Sequence, residues 1–196
     1  MSLRPIPDGL VVLTFDDGSR SDLEFVAPLL REHQFSATFF VNRGGGAPER
    51  QRDYLSWAEI AQLSALGFEI GNHTTSHPNL LQLSPEEVRT EIAGVEAQCA
   101  AHGVPRPVTF SYPGGHHDRI VLQVLEERDY CFARRSAYPE CPVVETGERG
   151  RAYDPAEDHP LLVPSSYVSG PGNGLTDVQR VLDLARDGKI AVLTLH

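Results

Sequence analysis

Two aspartates and two histidines, far apart in the chain, have the side-chain types and local spacing of a catalytic metal site. Asp16 and Asp17 end an apolar run, and His73 and His77 lie four residues apart further along. One carboxylate and two imidazoles form a three-ligand set that leaves coordination positions open for water and substrate. The second carboxylate is then free to act as a base. This combination predicts a metal-dependent hydrolase.

Each feature also has a simpler explanation when it is taken alone. Adjacent aspartates before a glycine, as in Asp16-Asp17-Gly18, are more often a solvated strand exit than a site. Histidine pairs such as His73 and His77 are more often surface residues or hydrogen-bonded supports. The occurrence of both features in one chain favours the metal site, because each supplies the donors that the other lacks.

Apolar strand-like runs alternate with helical periodicity, which is typical of a parallel sheet covered by helices and suggests a barrel. The predicted strands are 10–15, 37–41, 68–71, 108–112, 130–133 and 190–195. The predicted helices are 21–33, 56–66, 84–103, 118–128 and a last one that includes 178–185. In the first helix we expect Phe25, Leu29 and Leu30 to face inward.

The candidate reactive residues follow the first, third, fourth and last predicted strands. These residues are Asp16 and Asp17, then His73 and His77, the turn Pro113-Gly114-Gly115, and His196. In a barrel of parallel strands, catalytic groups converge at the carboxyl ends of the strands. Their shared placement is therefore a stronger argument for one site than any single motif.

Composition limits the class of protein. The 196 residues include 40% hydrophobic residues, enough for one sizeable core, and we expect a single domain over 1–196. A formal net charge of -10 argues against nucleic-acid and anionic-membrane surfaces, which need clustered Lys and Arg. No apolar run is long enough to span a bilayer and no secretory signal is visible, so a cytoplasmic location is favoured for the chain as given. The oligomeric state is left open.

Other reactive side chains receive no chemical role from the sequence. Cys99, Cys131 and Cys141 lack the paired spacing of a zinc or redox site, and we expect buried free thiols. His116 and His117 precede the predicted helix cap Asp118, so we expect loop residues outside the site.

At its reactive residues the chain resembles the polysaccharide deacetylase family, carbohydrate esterase family four, which shares the homology domain of nodulation-type oligosaccharide deacetylases. The first motif of the family is matched by residues 14–18 (TFDDG), the second by residues 73–77 (HTTSH), and the last by Leu195-His196. The resemblance runs from about Leu10 to His196. It implies an α/β fold, a distorted barrel of about seven parallel strands.

The resemblance also implies roles for individual residues. Asp17, His73 and His77 would bind one divalent metal, with zinc favoured and cobalt, nickel or manganese also suited to this donor set. Asp16 would be the base and His196 the acid. In the third-motif turn, Tyr112 and Pro113 would contact substrate and the Gly114 N–H would donate to the oxyanion, although the same glycines are equally typical of a tight turn.

Two departures from the family pattern concern the base and the substrate. Ser111 stands where the third motif has an arginine that pairs with the base, and the candidate substitutes are Arg134, Arg135 and Arg151. The aspartate-rich fourth motif has no counterpart between 137 and 174. That stretch is long enough to shape a pocket, and its aromatic candidates for stacking on a sugar are Tyr138, Tyr153 and Tyr167.

Three functions are compatible with these observations. The leading hypothesis is an N-deacetylase that removes acetyl groups from amino sugars of a glycan or oligosaccharide. The missing arginine and fourth motif leave open the same chemistry on a non-sugar amide or cyclic imide. A catalytically silent glycan-binding module is the third hypothesis, against which the retention of both Asp16 and His196 argues.

Overall fold

The structure, a computed structural model, describes residues 5–42, 53–136, 150–167 and 174–196. Its described part is built on one sheet of seven strands, all paired in parallel. In chain order the strands are β1 (Val11–Asp17), β2 (Thr38–Val41), β3 (Glu69–Asn72), β4 (Thr109–Ser111), β5 (Phe132–Arg134), β6 (Ser166–Tyr167) and β7 (Ala191–Leu195). The predicted α/β fold with a distorted parallel barrel is confirmed.

The sheet curls until its two edges nearly meet. The strand order is β5-β4-β3-β2-β1-β7-β6, so β5 and β6 are the edge strands. Val163, shortly before β6, forms a single parallel bridge with Arg134 on β5. The Val163 N–H donates to the Ala133 carbonyl and the Arg135 N–H donates to the Val163 carbonyl, both at 2.9 Å. Backbone hydrogen bonds therefore close the barrel where the regular ladder is absent.

In the described residues, five α-helices cover the sheet: α1 (Ala27–Glu32), α2 (Trp57–Ala65), α3 (Pro85–Ala101), α4 (Arg119–Glu127) and α5 (Leu175–Leu184). The two predicted capping motifs are both formed, by Ser56 with Glu59 and by Ser84 with Glu87. In each motif the serine accepts from the backbone N–H three residues on, and the glutamate accepts from the serine backbone. Asp118 caps α4 in the predicted way, by accepting from the Val121 N–H.

The first predicted helix differs from its expectation. The chain forms a π-helix at Asp22–Val26 before α1, and only Leu30 of the three expected inward residues is buried. Phe25 and Leu29 are 67% and 43% exposed. The π-helix adds residues per turn relative to an α-helix, which rotates the face defined by 3.6-residue spacing.

The remaining expectations on packing are partly corrected. Cys99 is a buried free thiol, and burial raises its pKa to about 11. Cys131 is exposed, because it lies in the connection ahead of β5, and Cys141 lies outside the described residues.

Strand β6 was not predicted, since two residues are too few to produce a periodic pattern. Among the described residues, no helix is both long and apolar enough to cross a membrane.

Candidate metal centre and catalytic cleft

The first pair of candidate residues lies at the carboxyl end of β1. Asp16 is buried, with 4% of its surface exposed, whereas the Asp17 side chain is 26% exposed. Asp17 adopts a left-handed backbone conformation, with φ of 74°. Non-glycine residues rarely adopt this conformation, which turns the chain sharply and lets two successive carboxylates reach one cleft.

The second motif is a loop that follows β3 and is strained at two positions. Thr74 and His77 have φ of 65° and 56°, and for a β-branched threonine this is a rare conformation. Asn72 holds the loop, because its Oδ1 accepts from the Thr74 N–H at 2.8 Å while its Nδ2 donates to the Tyr130 hydroxyl at 2.7 Å. The Thr74 hydroxyl in turn accepts from the His77 N–H at 3.1 Å. Side-chain hydrogen bonds thus stabilise the conformation that presents both histidines.

Helix α3 anchors the same loop from outside. The Glu91 carboxylate accepts from the Ser76 N–H and the Ser76 hydroxyl, each at 2.8 Å. The backbone carbonyl of Glu91 accepts from the Thr75 N–H at 3.1 Å. Gly94, one turn further, permits this approach, since a Cβ there would lie 2.2 Å from the Thr75 hydroxyl oxygen. The sequence analysis did not identify Glu91 or Gly94 as supports of the site.

The three predicted ligands lie together. One donor atom from each of Asp17, His73 and His77 falls within 4.8 Å of the others. The Asp17 Oδ1 is 3.7 Å from His73 Nε2 and 3.9 Å from His77 Nε2. These separations suit donors arranged around a cation at about 2.0–2.2 Å from each.

The orientation of His73 and Asp17 is fixed by neighbours of the cluster. His73 Nδ1 lies 2.8 Å from the Ser111 carbonyl oxygen, so Nδ1 must carry the proton that it donates and Nε2 keeps its lone pair for a metal. Burial lowers the pKa of His73, and this outweighs the opposite effect of Asp16. Asn42, directly after β2, donates from Nδ2 to Asp17 Oδ1 at 2.8 Å.

Asp16, on β1, is held by an arginine at the end of the edge strand β5. The Arg134 Nη2 donates to Asp16 Oδ2 and to the Ser111 hydroxyl oxygen. Burial by itself raises the pKa of Asp16, but the positive charge of Arg134, with help from His73 and His196, holds the pKa below its ordinary value. Asp16 is therefore ionised at neutral pH, as a base must be.

Asp16 retains one uncommitted oxygen. Its Oδ1 is buried and has no hydrogen-bond partner among the described residues. A buried carboxylate oxygen without a partner is destabilising, so the site is expected to supply one when substrate, water and metal are bound. Two imidazoles and a carboxylate, with Asp16 as a second carboxylate beside them, fit a catalytic divalent metal such as zinc, an ion of borderline softness that binds both nitrogen and oxygen donors.

These residues open into a cleft of about 910 Å³ at the carboxyl ends of the strands. Five of the eight histidines line it: His73, His77, His116, His117 and His196. His116 and His117 are loop residues, as expected. Both border the cleft, although the sequence analysis placed them outside the site. The strand-end rule that located the other candidates applies to them too, because they follow the turn after β4.

The third-motif turn forms another part of the wall. Gly114 has φ of 59°, and a Cβ there would lie 2.7 Å from the His116 ring, so this position requires glycine. Gly114 lines the cleft. Tyr112 also borders it but is 2% exposed, with its hydroxyl donating to the Leu161 carbonyl at 2.8 Å. Pro113 is buried in the turn and is absent from the cleft wall.

His196 and Tyr167 face each other on the opposite side. Their ring centroids are 5.2 Å apart, and His196 Nε2 lies 3.9 Å from Asp17 Oδ2. Of the three tyrosines considered for sugar stacking, Tyr167 lines the cleft. Tyr153 is buried against Val163 and Val192, and Tyr138 lies outside the described residues.

Comparisons with known proteins agree with this geometry. A family model described as polysaccharide deacetylase matches residues 4–133. The chain belongs to the polysaccharide deacetylase family. The match includes the first two motifs and the third-motif turn, and it ends one residue before Arg134.

Individual members of the family extend the comparison. The chitooligosaccharide deacetylase of Azorhizobium caulinodans is 37% identical over 121 residues, covering 60% of this chain and 53% of that protein. The chain spans about half the length of the curated relatives it matches. The structure of the Streptococcus pyogenes deacetylase PplD, solved with acetate, matches with a TM-score of 0.70 at 18% identity, over 90% of this chain and 70% of that one.

A polysaccharide deacetylase fold does not by itself imply activity. A pseudoenzyme of carbohydrate esterase family four from Bacillus anthracis matches with a TM-score of 0.60 at 18% identity, over 96% of this chain and 56% of that one. At these identities the structural matches show the fold alone. Function must be argued from the site of this chain.

The three arginines proposed to replace the missing one now have distinct places. Arg134 contacts Asp16, whereas Arg135 Nε donates to the Leu162 carbonyl at 3.1 Å and Arg151 pairs with Asp158. Although Ser111 stands in place of the third-motif arginine, Asp16 is therefore still paired with a guanidinium.

Asp22, in the π-helix behind the cleft, is a further buried carboxyl. It is 2% exposed, and its Oδ2 has no hydrogen-bond partner in the part of the chain that the structure describes. Burial raises the pKa of Asp22 to about 7; a hydrogen bond with the Ser19 backbone opposes this, and the charges of Asp16 and Asp17 add to it. Asp22 is thus distinct from Asp16, which has an arginine partner.

Replacing Asn42 tests the support of the metal centre. We expect Asn42→Ala to weaken zinc affinity by about 10- to 100-fold, because Asp17 loses the donor that orients its Oδ1. Competition with a chromogenic chelator measures the affinity, and Gln98→Ala, at an exposed position on α3, is the control. Affinities equal to wild type in Asn42→Ala would show that this hydrogen bond does not support the ligand.

Replacing Asp22 tests its pKa through stability. A carboxyl group whose pKa is raised in the folded protein stabilises the fold at pH values below its pKa in the unfolded chain, about 3.9. This stabilisation is lost as the pH rises to about 7. Between pH 4 and 7 the free energy of unfolding of wild type should fall relative to Asp22→Asn by up to about 4 kcal/mol. Urea unfolding with chelator present measures it, with Asp129→Asn as an exposed control. A difference that is constant with pH would contradict the assignment.

Proposed function

We propose that this chain is a metal-dependent N-deacetylase that removes acetyl groups from amino sugars of a glycan or oligosaccharide. One observation carries the proposal. A three-donor cluster of Asp17, His73 and His77 adjoins an ionised, arginine-paired Asp16 in one open cleft. Asp16 keeps an oxygen that no described residue occupies. The relation to a chitooligosaccharide deacetylase supports a sugar as the substrate.

The proposed role of each residue follows from the position of its side chain. Asp17, His73 and His77 would hold the divalent metal, for which zinc is favoured. When bound, such a metal lowers the pKa of water and polarises the carbonyl of an amide. Asp16 takes a proton from the attacking water, and its contact with Arg134 keeps it ionised until it does so.

The other roles belong to groups on the cleft wall. The Gly114 N–H is the proposed donor to the oxyanion of the tetrahedral intermediate, since glycine lets the acyl group approach the backbone. His196 is the proposed acid that protonates the departing amine, because the reference pKa of histidine suits proton transfer near neutrality. Tyr167, which lines the cleft beside His196, is the proposed aromatic contact for a sugar ring.

The alternatives are affected differently by the geometry. The missing third-motif arginine was one reason to consider a non-sugar amide or cyclic imide, and the contact of Arg134 with Asp16 weakens that reason. A silent binding module gains some support from the pseudoenzyme of similar fold. Retention of an ionised and arginine-paired Asp16 argues against it, because binding alone does not need a base.

Acetate release tests the proposal directly. We expect the zinc-loaded protein to release acetate from N-acetylglucosamine oligomers, to stop when the metal is chelated, and to resume when zinc is restored. Asp16→Asn should lower kcat by about 10²- to 10⁴-fold while zinc content stays at the wild-type value, because the base is lost and the ligands remain.

Asp129→Asn, an exposed and chemically matched change, should retain full activity. Undiminished acetate release after chelation would contradict the metal dependence. No release from any acetylated amino sugar, together with faster hydrolysis of a cyclic imide, would assign the alternative substrate.

A further inference from the structure

We propose that Arg134 is the positioning residue for the base. Through Arg134, β5 supplies the guanidinium that the family pattern places on β4, at position 111. The inference rests on the proposed function, since it assigns Asp16 as the base. It identifies a contribution to catalysis at a residue outside all the recognised motifs.

The strand register makes this exchange possible. Ser111 and Arg134 are direct partners in the parallel pairing of β4 with β5. Neighbouring strands are about 4.8 Å apart, and register partners point to the same face of a sheet. A guanidinium from either position can therefore reach the same carboxylate. The Ser111 hydroxyl contacts both Asp16 Oδ2, at 3.4 Å, and the Arg134 guanidinium.

The Arg134 side chain is fixed by several parts of the barrel. Nη1 donates to Thr194 Oγ1 at 2.9 Å and to Ser165 Oγ at 3.3 Å, while Nη2 contacts Asp16 and Ser111. Its Cζ lies 5.5 Å from the centroid of the Phe40 ring. The side chain is 7% exposed, so few rotamers are open to it. A base held by such a group has a defined position before substrate binds.

The contact is also one-sided in a way that suits a base. Arg134 occupies Asp16 Oδ2, whereas Oδ1 has no hydrogen-bond partner among the described residues. Ion pairs between arginine and a carboxylate are frequently bidentate, with both oxygens accepting from the guanidinium. The geometry points to a carboxylate that is oriented through one oxygen and left available through the other.

A reciprocal exchange across the register pair tests the proposal. Arg134→Ser should lower kcat on N-acetylglucosamine oligomers by about 100-fold or more, with KM changed by less than about threefold, because orientation of the base affects the reaction rather than substrate binding. Adding Ser111→Arg in the same chain should recover at least about tenfold of that loss, since the guanidinium returns to Asp16 from β4.

Conservative variants separate positioning from general stability. Arg134→Lys should reduce kcat, because an ammonium cannot contact Asp16 and Thr194 at once in the planar geometry of a guanidinium. Arg135→Lys, at the adjacent buried arginine that donates to the Leu162 and Ser136 carbonyls, should keep kcat near wild type. Zinc content and thermal unfolding are measured for every variant to establish that each is folded and loaded.

The outcomes are distinguishable from failure of the proposed function. Folded, zinc-loaded Arg134→Ser with wild-type kcat would overturn the positioning role, and so would an exchange variant that is folded but recovers nothing. If Arg134→Ser does not fold, the two lysine variants and the exchange variant decide.

If wild type hydrolyses no acetylated sugar, the proposed function fails and the contact is still tested by unfolding. Non-additive effects of Asp16→Asn and Arg134→Lys on the free energy of unfolding would support the pair, and additive effects would overturn it.

Discussion

The structure depends on keeping one charged carboxylate inside a barrel. Burial of Asp16 favours its neutral form, and an unpaired buried carboxylate would be severely destabilising. The positive charge of Arg134 outweighs that effect, with help from His73 and His196, and the hydroxyl groups of Ser111, Ser165 and Thr194 hold the guanidinium in place. The curled sheet and the bridge between Arg134 and Val163 bring these groups to one place. The fold is therefore what allows a buried aspartate to remain ionised.

The ligand side of the cleft is stabilised by a different device. Asp17, Thr74 and His77 all have left-handed backbone conformations, each costing about 1–3 kcal/mol. In the histidine loop, hydrogen bonds donated to Asn72 and to Glu91 on α3 offset that strain. The strained residues belong to the motifs, whereas Asn72 and Glu91, which support the histidine loop, lie outside the motifs. This arrangement is typical of sites that must be formed before ligands bind. No cation among the described residues pairs with Asp22, and burial raises the pKa of this carboxyl to about 7.

Much of this could be predicted from the sequence because it depends on local patterns. Strand ends placed Asp16, Asp17, His73 and His196 at one edge, and capping motifs at Ser56 and Ser84 located two helices. Contacts between distant residues left no such pattern. Arg134 could be named as a candidate but not chosen from Arg135 and Arg151, because the choice depends on strand register. The roles of Asn42 and Glu91 were missed for the same reason, since they depend on contacts with Asp17 and Ser76. The two-residue β6 is too short to produce a periodic pattern, and the π-helix departs from the 3.6-residue spacing on which helix prediction relies.

Locating the metal in a crystal tests the central claim most directly. Anomalous diffraction at the zinc edge, from crystals soaked in zinc, would show the ion and its ligands. The account predicts one ion at about 2.0–2.2 Å from Asp17, His73 and His77, with Asp16 next to it but not bound and still paired with Arg134. An ion ligated by Asp16, or no ion between the three predicted ligands, would contradict it.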